Sequence, residues 1–332
     1  MSSPAPVIAL IENFRRSQAM FTATELGVFD ALAEGPASAS QLAQQTKTNA
    51  EALHRLLMTC VNLGLLEVSG DTFANAPVTR TYLVRSSPQA ITGYVEYSRR
   101  ALWNLWGNLP DAIREGTHRW IQTFGGQGEL FSHYYKTETE KRQFLMGMHA
   151  FGLISSPQIV KAVDLSPFSH LVDLGGATGH FALEASKQFP KLRCTLFDLP
   201  QCIPLAQEML AGSRVETLGG DFFADALPSA DLFALGRILH DWTEAKIKML
   251  LEKIHAALPP GGGILVLEKL VEETGTSPTW ALLQDLNMLV ATEGRERKLS
   301  EYKTLLEAAG FTNVQGYSLP DSPLDAILAR KP

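Results

Sequence analysis

The sequence has few cysteines, no excess of basic charge and no long apolar run, and each of these absences excludes a class of protein. Its three cysteines are an odd number at no metal-ligand spacing, which argues against a disulfide framework or a zinc site. The net charge of −6 argues against nucleic acid or an anionic membrane as the main partner. No apolar run approaches the ~20 residues of a membrane span, and no basic segment precedes an apolar one at the N-terminus. We therefore expect a reduced, cytoplasmic, globular protein that is long enough for two domains.

The most informative segment is LVDLGGATGH, residues 171–180. An apolar run that ends in an acid and a Gly-rich turn is typical of a buried parallel strand that leads into a helix. Gly175 has no Cβ, so a ligand can lie close to the backbone there. Asp198 follows 23 residues later, at the end of the next apolar run, where an acid can accept hydrogen bonds from ribose hydroxyls. Together these features predict a nucleoside-bearing cofactor.

The order of the glycines indicates which cofactor this is. From Gly175 the chain reads G-G-A-T-G-H, which does not fit the G-x-G-x-x-G pattern of dinucleotide-binding turns. Asp173 places a negative charge just before the turn, which would repel a pyrophosphate but attract the ammonium and sulfonium of S-adenosylmethionine. The sequence thus favours S-adenosylmethionine over NAD. A Gly-rich turn without a ligand and an NAD oxidoreductase remain as alternatives.

The hydrophobic periodicity divides the chain into three parts. Residues 1–100 predict short helices and a small hairpin, in the order of a winged helix, and residues 101–165 predict linking helices that help to form a substrate pocket. Residues 166–332 alternate between strand and helix, which predicts an α/β domain that binds S-adenosylmethionine. The predicted strands are 170–174, 194–198, 214–218, 231–236, 263–268, 313–318 and 325–330. The loop before the last strand has no room for a helix, so we expect a doubly wound, Rossmann-like sheet whose last strand is antiparallel.

A histidine and two acids follow the predicted strands. His240 comes after an apolar segment that we interpret as a strand over residues 231–239, at the edge where open α/β sheets bind ligands. An imidazole with a pKa near ~6.5 can remove the proton of a phenolic hydroxyl, whose pKa is near ~10. Glu268 ends the next strand, and Glu296 lies in a charged turn. Taken alone, His240 could equally be a core histidine and Glu296 a solvated residue. No acidic cluster of the kind that binds magnesium is evident, so we predict no metal.

Several further segments carry a resemblance to a known family. They are ELGVFDAL at 25–32, LWGNLPDAIREG at 105–116, LVDLGGATG at 171–179, GDFFADALPSADL at 220–232, RILHDW at 237–242, GGGILVLEKL at 261–270 and LNMLVATEGRER at 286–297. In these segments the chain resembles the S-adenosylmethionine-dependent O-methyltransferases of plant caffeate and isoflavonoid type, and most of all their hydroxyindole branch. The resemblance covers nearly the whole chain.

The resemblance implies an enzyme that works as a homodimer, joined through its N-terminal winged-helix region. His240 would be the general base, and Glu268 and Glu296 would flank and orient it. The cofactor-binding residues, which include Asp173 and Gly175 of the turn, would be Tyr135, Asp173, Gly175, Asp198, Leu199, Gly220, Asp221, Phe222, Arg237 and Trp242. The acceptor would contact Tyr97, Trp103, Asn287 and Met288, although these could also be plain core residues. The chain departs from the family pattern at Phe151-Gly152, where relatives place a Trp against the cofactor, and at Ala177, where a third consecutive Gly is common.

The predicted function is transfer of a methyl group from S-adenosylmethionine to a hydroxyl of a small aromatic acceptor, hydroxyindole-like or phenol-like. One alternative is a winged-helix regulator that binds S-adenosylmethionine and DNA. Residues 1–98 hold six basic and eight acidic residues, which is the wrong balance for a DNA reader. A second alternative is a binding protein without catalysis, against which the presence of His240, Glu268 and Glu296 argues.

Overall fold

By its internal contacts, the chain divides into two compact units in the computed structural model, Met1–Ala101 and Leu102–Pro332. The structure describes residues 3–125 and 134–332, so residues 126–133 of the predicted linking segment lie outside the described residues. Within the described ranges, no helix has both the length and the apolarity that a membrane crossing requires. The boundaries of the three predicted domains stay a prediction.

The N-terminal unit combines helices with a three-stranded antiparallel sheet of order β1-β3-β2. Its elements are α1 (Ala5–Glu25), α2 (Val28–Ala31), β1 (Ala37–Ser38), α3 (Ala39–Thr46), α4 (Ala50–Asn62), β2 (Leu66–Ser69), β3 (Thr72–Asn75), α5 (Pro77–Tyr82) and α6 (Thr92–Tyr97). Ser38 begins α3 with a capping box shared with Gln41, and the side chain of Asn49 accepts a hydrogen bond from the first turn of α4. Helices followed by a β2–β3 hairpin match the predicted winged-helix order.

The second unit contains the remaining helices and a seven-stranded sheet. A π-helical turn, Ser98–Leu102, precedes its first helix. The helices are α7 (Trp103–Trp106), α8 (Leu109–Glu115), α9 (Trp120–Phe124), α10 (Glu138–Ala162), α11 (His180–Gln188), α12 (Ile203–Met209), α13 (Glu244–Ala257), α14 (Thr279–Ala291) and α15 (Leu299–Ala308). The strands are β4 (His170–Leu174), β5 (Arg193–Asp198), β6 (Glu216–Gly219), β7 (Leu232–Gly236), β8 (Gly263–Leu267), β9 (Thr312–Tyr317) and β10 (Ala326–Arg330).

The sheet has the order β6-β5-β4-β7-β8-β10-β9, and β10 runs antiparallel to both of its neighbours. The central strands are buried on both faces, as Phe233 on one face and Leu232 on the other show, because helices cover the sheet on either side. The predicted α/β fold with an antiparallel last strand is therefore confirmed. Because β4 to β8 are parallel, their carboxyl ends lie along one edge of the sheet.

The segment before His240 differs from the interpretation of a strand over residues 231–239. Strand β7 ends at Gly236, and a 3-10 turn forms over Leu239–Asp241. Arg237 ends the strand because its backbone is left-handed, with φ of 59°. His240 therefore lies in a tight turn beyond the end of the strand.

Candidate active site

The Gly-rich turn after β4 is shaped by two close approaches of its backbone. Gly175 and Gly179 have φ values of 68° and 77°, which glycine adopts without strain. A Cβ at Gly175 would lie 2.5 Å from Cδ1 of Ile238. A Cβ at Gly176 would lie 2.5 Å from Oδ2 of Asp173, so this glycine makes room for the carboxylate. The turn thus leaves a narrow, backbone-lined cradle at the carboxyl end of β4.

Two buried polar atoms of opposite character lack partners at this edge of the sheet. Among the residues that the structure describes, Oδ2 of Asp173 and Nε of Arg237 have no hydrogen-bond partner. Asp173 is 2% exposed, and burial raises the pKa of its carboxyl to about 7. Buried polar groups normally have partners. One free acceptor and one free donor fit a ligand that carries both charges, as the amino-acid part of S-adenosylmethionine does.

Asp198 lies at the end of β5, beside the Gly-rich turn. Its carboxylate accepts hydrogen bonds from the backbone N–H groups of Ala177 and Leu199, both at 2.7 Å. Burial raises the pKa of this carboxyl, while the two N–H groups oppose that rise. Ala177 has φ of 54°, a left-handed conformation that glycine would adopt at lower cost. The turn and the predicted ribose-binding acid are therefore joined directly.

Three of the predicted cofactor-binding residues, Gly220, Asp221 and Phe222, follow β6 and lie next to this acid. The backbone N–H of Gly220 donates to the carbonyl of Asp198 at 2.9 Å, and a Cβ at Gly220 would lie 2.4 Å from the ring of Phe197. Asp221 accepts a hydrogen bond from the N–H of Phe223 at 2.8 Å. Phe222 lies 3.4 Å from the position of a Cβ at Gly175. The structure therefore brings this segment to the Gly-rich turn.

The other predicted cofactor residues surround the same edge. Tyr135 is near Asp198 and Cys202. The pKa of its phenol is raised, mainly by burial and to a lesser extent by these two neighbours. Leu199 packs in the same small apolar cluster as Tyr135. Trp242 is buried and packs against the ring of Phe223, with a centroid distance of 5.1 Å. Trp242 thus supports the wall behind the cofactor segment.

His240 and Glu296 form the most direct pair in the site. Nδ1 of His240 lies 2.7 Å from Oε1 of Glu296, and both side chains are almost fully buried. Asp285 accepts a hydrogen bond from the N–H of Glu296 at 3.0 Å and so fixes the acid in its turn. Although its neighbours in sequence are charged, Glu296 is 3% exposed. The alternative of a solvated turn residue therefore does not describe it.

Glu268 contacts His240 differently from the expectation that it flanks the ring. Its Oε1 accepts a hydrogen bond from the backbone N–H of His240 at 3.0 Å, and its Oε2 accepts one from the hydroxyl of Tyr302. Glu268 thus fixes the 3-10 turn that carries the imidazole. Among the residues that the structure describes, only Glu296 contacts a ring nitrogen of His240 at hydrogen-bond distance, while Asp241 lies 3.7 Å from Nε2.

Burial sets the protonation states of these groups. It lowers the pKa of His240, against the opposing effect of nearby acids, and raises the pKa of Glu296 to about 8. It also raises the pKa values of Glu268 and Asp241, each to about 6. Because a charged imidazolium is disfavoured here, the ring is neutral at neutral pH.

The three residues His240, Glu268 and Glu296 also have a spacing that could hold a metal ion, with ligand atoms within 4.8 Å of one another. Hydrogen bonds already account for this spacing. Both oxygens of Glu268 have donors, and Oε1 of Glu296 is paired with Nδ1 of His240. That the enzyme needs no metal stays a prediction.

The four residues predicted to bind the acceptor have different surroundings. Asn287 and Met288 are buried on α14, and the carboxamide oxygen of Asn287 accepts a hydrogen bond from Nε1 of Trp106 at 2.9 Å. Trp103 on α7 is 40% exposed. Tyr97 ends α6 in the N-terminal unit and is buried. Their contacts with an acceptor stay a prediction.

Four residues that support the site were missed by sequence reasoning. Tyr302 and Asp285 hold the two glutamates, and His149 and His180 lie beside the Gly-rich turn. Only His180 carried a signal, because it directly follows the glycines. The other three lie on helices whose contacts the sequence does not reveal.

Comparisons with known proteins agree with this geometry. A family model described as an O-methyltransferase domain matches residues 106–312, and one described as an O-methyltransferase dimerisation domain matches residues 8–85. Acetylserotonin O-methyltransferase of Bos taurus is 40% identical over 329 residues, which cover 96% of this chain and 95% of that protein. The structure of human N-acetylserotonin methyltransferase in complex with SAM gives a TM-score of 0.95 at 38% identity, over 100% of this chain and 98% of that chain. The structure of PigF with SAH gives a TM-score of 0.89 at 25% identity, over 99% and 100% of the two chains.

The sheet topology and the cradle at its edge, together with these matches, define a methyltransferase that depends on S-adenosylmethionine. The chain belongs to the O-methyltransferase family, whose dimerisation and catalytic domains it contains in that order. The predictions of an enzyme, of its reaction class and of its cofactor are thereby confirmed. Membership of the plant caffeate type in particular stays a prediction.

Proposed function

We propose that this enzyme methylates a hydroxyl of a small, planar aromatic acceptor of the hydroxyindole type, with His240 as the general base. The observation that carries the proposal is the 2.7 Å contact between Nδ1 of His240 and Glu296, in a buried site at the carboxyl edge of the sheet. The acceptor class is supported by the 40% identity to acetylserotonin O-methyltransferase over nearly the whole chain.

The His240–Glu296 pair can act as a base in one of its protonation states. When Glu296 holds a proton it donates to Nδ1, and Nε2 then carries the hydrogen of the neutral ring. When the pair loses one proton, from Nε2, the shared proton moves from Glu296 to Nδ1; Nδ1–H then donates to the carboxylate, and Nε2 presents a lone pair. Nε2 can then take the proton of the acceptor hydroxyl, and Glu296 stabilises the imidazolium that forms.

S-adenosylmethionine supplies an electrophilic methyl group on a sulfonium sulfur when it is bound. We infer that Asp198 and the segment Gly220–Phe222 hold its nucleoside, while Asp173 and Arg237 face its charged end. Tyr135, Gly175, Leu199 and Trp242 would complete the walls. Holding the acceptor oxygen in line with the methyl group can lower the barrier by several kcal/mol, up to roughly 7–11 in well-oriented reactions.

The acceptor pocket follows from the aromatic helices of the second unit. Trp106 bonds to Asn287 and so places an indole ring against α14, where Met288 is also buried. Apolar and aromatic walls with few polar groups suit a flat aromatic acceptor. Trp103 is our proposed further contact in this unit.

We further propose that two copies of the chain associate through the N-terminal unit. Helix α1 exposes a row of large apolar side chains, namely Val7, Ile8, Leu10, Ile11 and Phe14. A contiguous apolar surface of this kind marks a protein interaction site. The dimerisation-domain match begins at residue 8, within this row. Action in the cytoplasm and without nucleic acid remains part of the proposal.

A substrate panel tests the proposed acceptor. Purified enzyme with S-adenosylmethionine is offered acetylserotonin, a catechol and a simple phenol, and the methylated products are identified by mass spectrometry. The proposal predicts the highest kcat/KM for the hydroxyindole, with the new methyl group on oxygen. Methylation confined to nitrogen, or to acceptors without an aromatic ring, would contradict it.

A further inference from the structure

An imidazole occupies the space next to a glycine of α10. A Cβ at Gly152 would lie 2.0 Å from Cγ and 2.2 Å from Nδ1 of His180. Because real Cβ atoms do not approach a ring so closely, the ring of His180 rests directly on the backbone of the helix. Residue 152 must therefore lack a side chain for His180 to hold this place. The pair Phe151-Gly152 is also one of the two places where the resemblance predicts a departure from the family pattern.

Two hydroxyls hold a pair of histidines at this place. Nδ1 of His180 lies 2.9 Å from Oγ of Ser156, one helical turn after Gly152. Nδ1 of His149 lies 2.8 Å from Oγ1 of Thr178 in the Gly-rich turn. The two ring centroids are 6.4 Å apart. Within the described part of the chain neither Nε2 has a hydrogen-bond partner, so both rings keep one nitrogen for a ligand.

The pair lies beside the cradle for the charged end of the cofactor. His180 is the first residue of α11 and follows Gly179 of the turn directly. Arg237 is close enough for its charge to lower the pKa of His180. The guanidinium of Arg237 in turn lies 4.4 Å from the ring centroid of Phe151, the neighbour of Gly152 in sequence. Turn, arginine and histidines thus converge on one place.

The chemistry of the pair suits an amino-acid group. Burial lowers the pKa of both rings, that of His180 to about 3, so both are neutral and do not repel a sulfonium. If the hydroxyl of Ser156 donates to Nδ1, the ring hydrogen of His180 is on Nε2, which can donate to a carboxylate. A donor beside the free Nε of Arg237 would give the carboxylate a second partner.

We propose that His180, seated against Gly152 and supported by His149, binds the amino-acid end of S-adenosylmethionine. This inference rests on the confirmed cofactor and not on the proposed acceptor.

Two ligands that differ only at the amino-acid end provide the test. S-adenosylhomocysteine carries that end, whereas 5′-methylthioadenosine has the same nucleoside and sulfur without it. In titration calorimetry we expect His180→Ala to weaken S-adenosylhomocysteine about tenfold or more, since a hydrogen bond to a charged group is lost. The Kd of 5′-methylthioadenosine should stay unchanged. An equal loss for both ligands, or none for the first, would overturn the inference. Wild-type protein that binds neither would overturn the cofactor assignment as well.

A second variant separates binding from folding. Gly152→Ala leaves His180 in the chain but displaces its ring, so it should cause the same selective loss. In the His180→Ala background, the Gly152→Ala change should then have no further effect on S-adenosylhomocysteine. Additive losses would show that Gly152 acts independently of the ring, against the inference. His170→Ala is the matched control, because this histidine also bonds a threonine, Thr195 at 2.9 Å, but lies at the start of β4. It should change neither Kd.

Discussion

Replacing Glu296 by Gln tests the proposed base without removing its hydrogen bond. The amide has nearly the same shape, and its oxygen can still accept from Nδ1 of His240 across the 2.7 Å contact. What is lost is the negative charge that stabilises the imidazolium after proton transfer. General-base catalysis contributes about 10²–10⁴ in rate, and the ring itself remains, so we expect kcat to fall roughly 10²- to 10³-fold.

Although it slows the reaction, the same change should increase the free energy of unfolding at high pH. Burial raises the pKa of Glu296 from 4.5 to about 8, so the folded state retains a proton that the unfolded state releases between these values. The contribution of Glu296 is therefore fully favourable below pH 4.5 and is lost as the pH rises to about 8. At about 1.4 kcal/mol per pH unit, the carboxyl costs the fold up to about 5 kcal/mol above that pH. The Gln variant avoids this cost.

The assay combines initial rates with urea unfolding at about pH 6 and about pH 9. Most of the expected loss in the free energy of unfolding falls between these two pH values. The variant should be slower at both pH values and should gain stability over wild type at the higher one. Glu293→Gln is the control, because this acid lies three residues away and pairs with Lys246 on the surface. Full activity in Glu296→Gln, or a loss of stability that grows with pH, would refute the reasoning.

Three further predictions follow from the same region. Wild-type kcat/KM should rise with pH through an apparent pKa that belongs to the His240–Glu296 pair. In Glu296→Gln this rise in kcat/KM should occur at lower pH, because burial lowers the pKa of the remaining imidazole. A rise at the same pH as in wild type would contradict the assignment. Ala177→Gly should raise the free energy of unfolding by up to about 1 kcal/mol, because φ is 54° there, and a loss in urea unfolding would count against this. Tyr302→Phe should cost about 1–3 kcal/mol by the same assay, because Glu268 loses a buried donor, whereas an unchanged midpoint would show that the bond is unimportant.

The strands could be read from the sequence because a parallel sheet covered on both faces needs continuous apolar runs. The prediction 170–174 coincides with β4, and 214–218 differs from β6 by two residues at its start and one at its end. The end of β7 could not be read, because a left-handed arginine at position 237 carries no compositional signal. That conformation decides where the chain turns to bring His240 to the edge.

The sequence predicted which residues form the site more fully than it predicted the contacts between them. His240, Glu268 and Glu296 do come together, but the sequence could not show that Glu268 binds a backbone N–H. Nor could it show that Glu296 is buried within a charged turn, where Arg295 pairs instead with acids on the surface. These details depend on side-chain rotamers and on helices that are distant in sequence.

The absence of a side chain at Gly152 illustrates the same limit. In the sequence it is only a departure from a family pattern, and nothing indicates which residue fills the space. The structure shows that the ring of His180, 28 residues later, takes that place. Such compensations become visible only when two helices are placed against each other.

The most direct test of the central claim compares His240→Ala with wild type in two assays on the same protein samples. One is the initial rate of methyl transfer from S-adenosylmethionine to acetylserotonin, and the other is the calorimetric Kd for S-adenosylhomocysteine. The account predicts that the rate falls by about 10² or more, as expected for the loss of a general base, while the Kd is nearly unchanged. A variant that binds the cofactor product normally and methylates at the wild-type rate would contradict it.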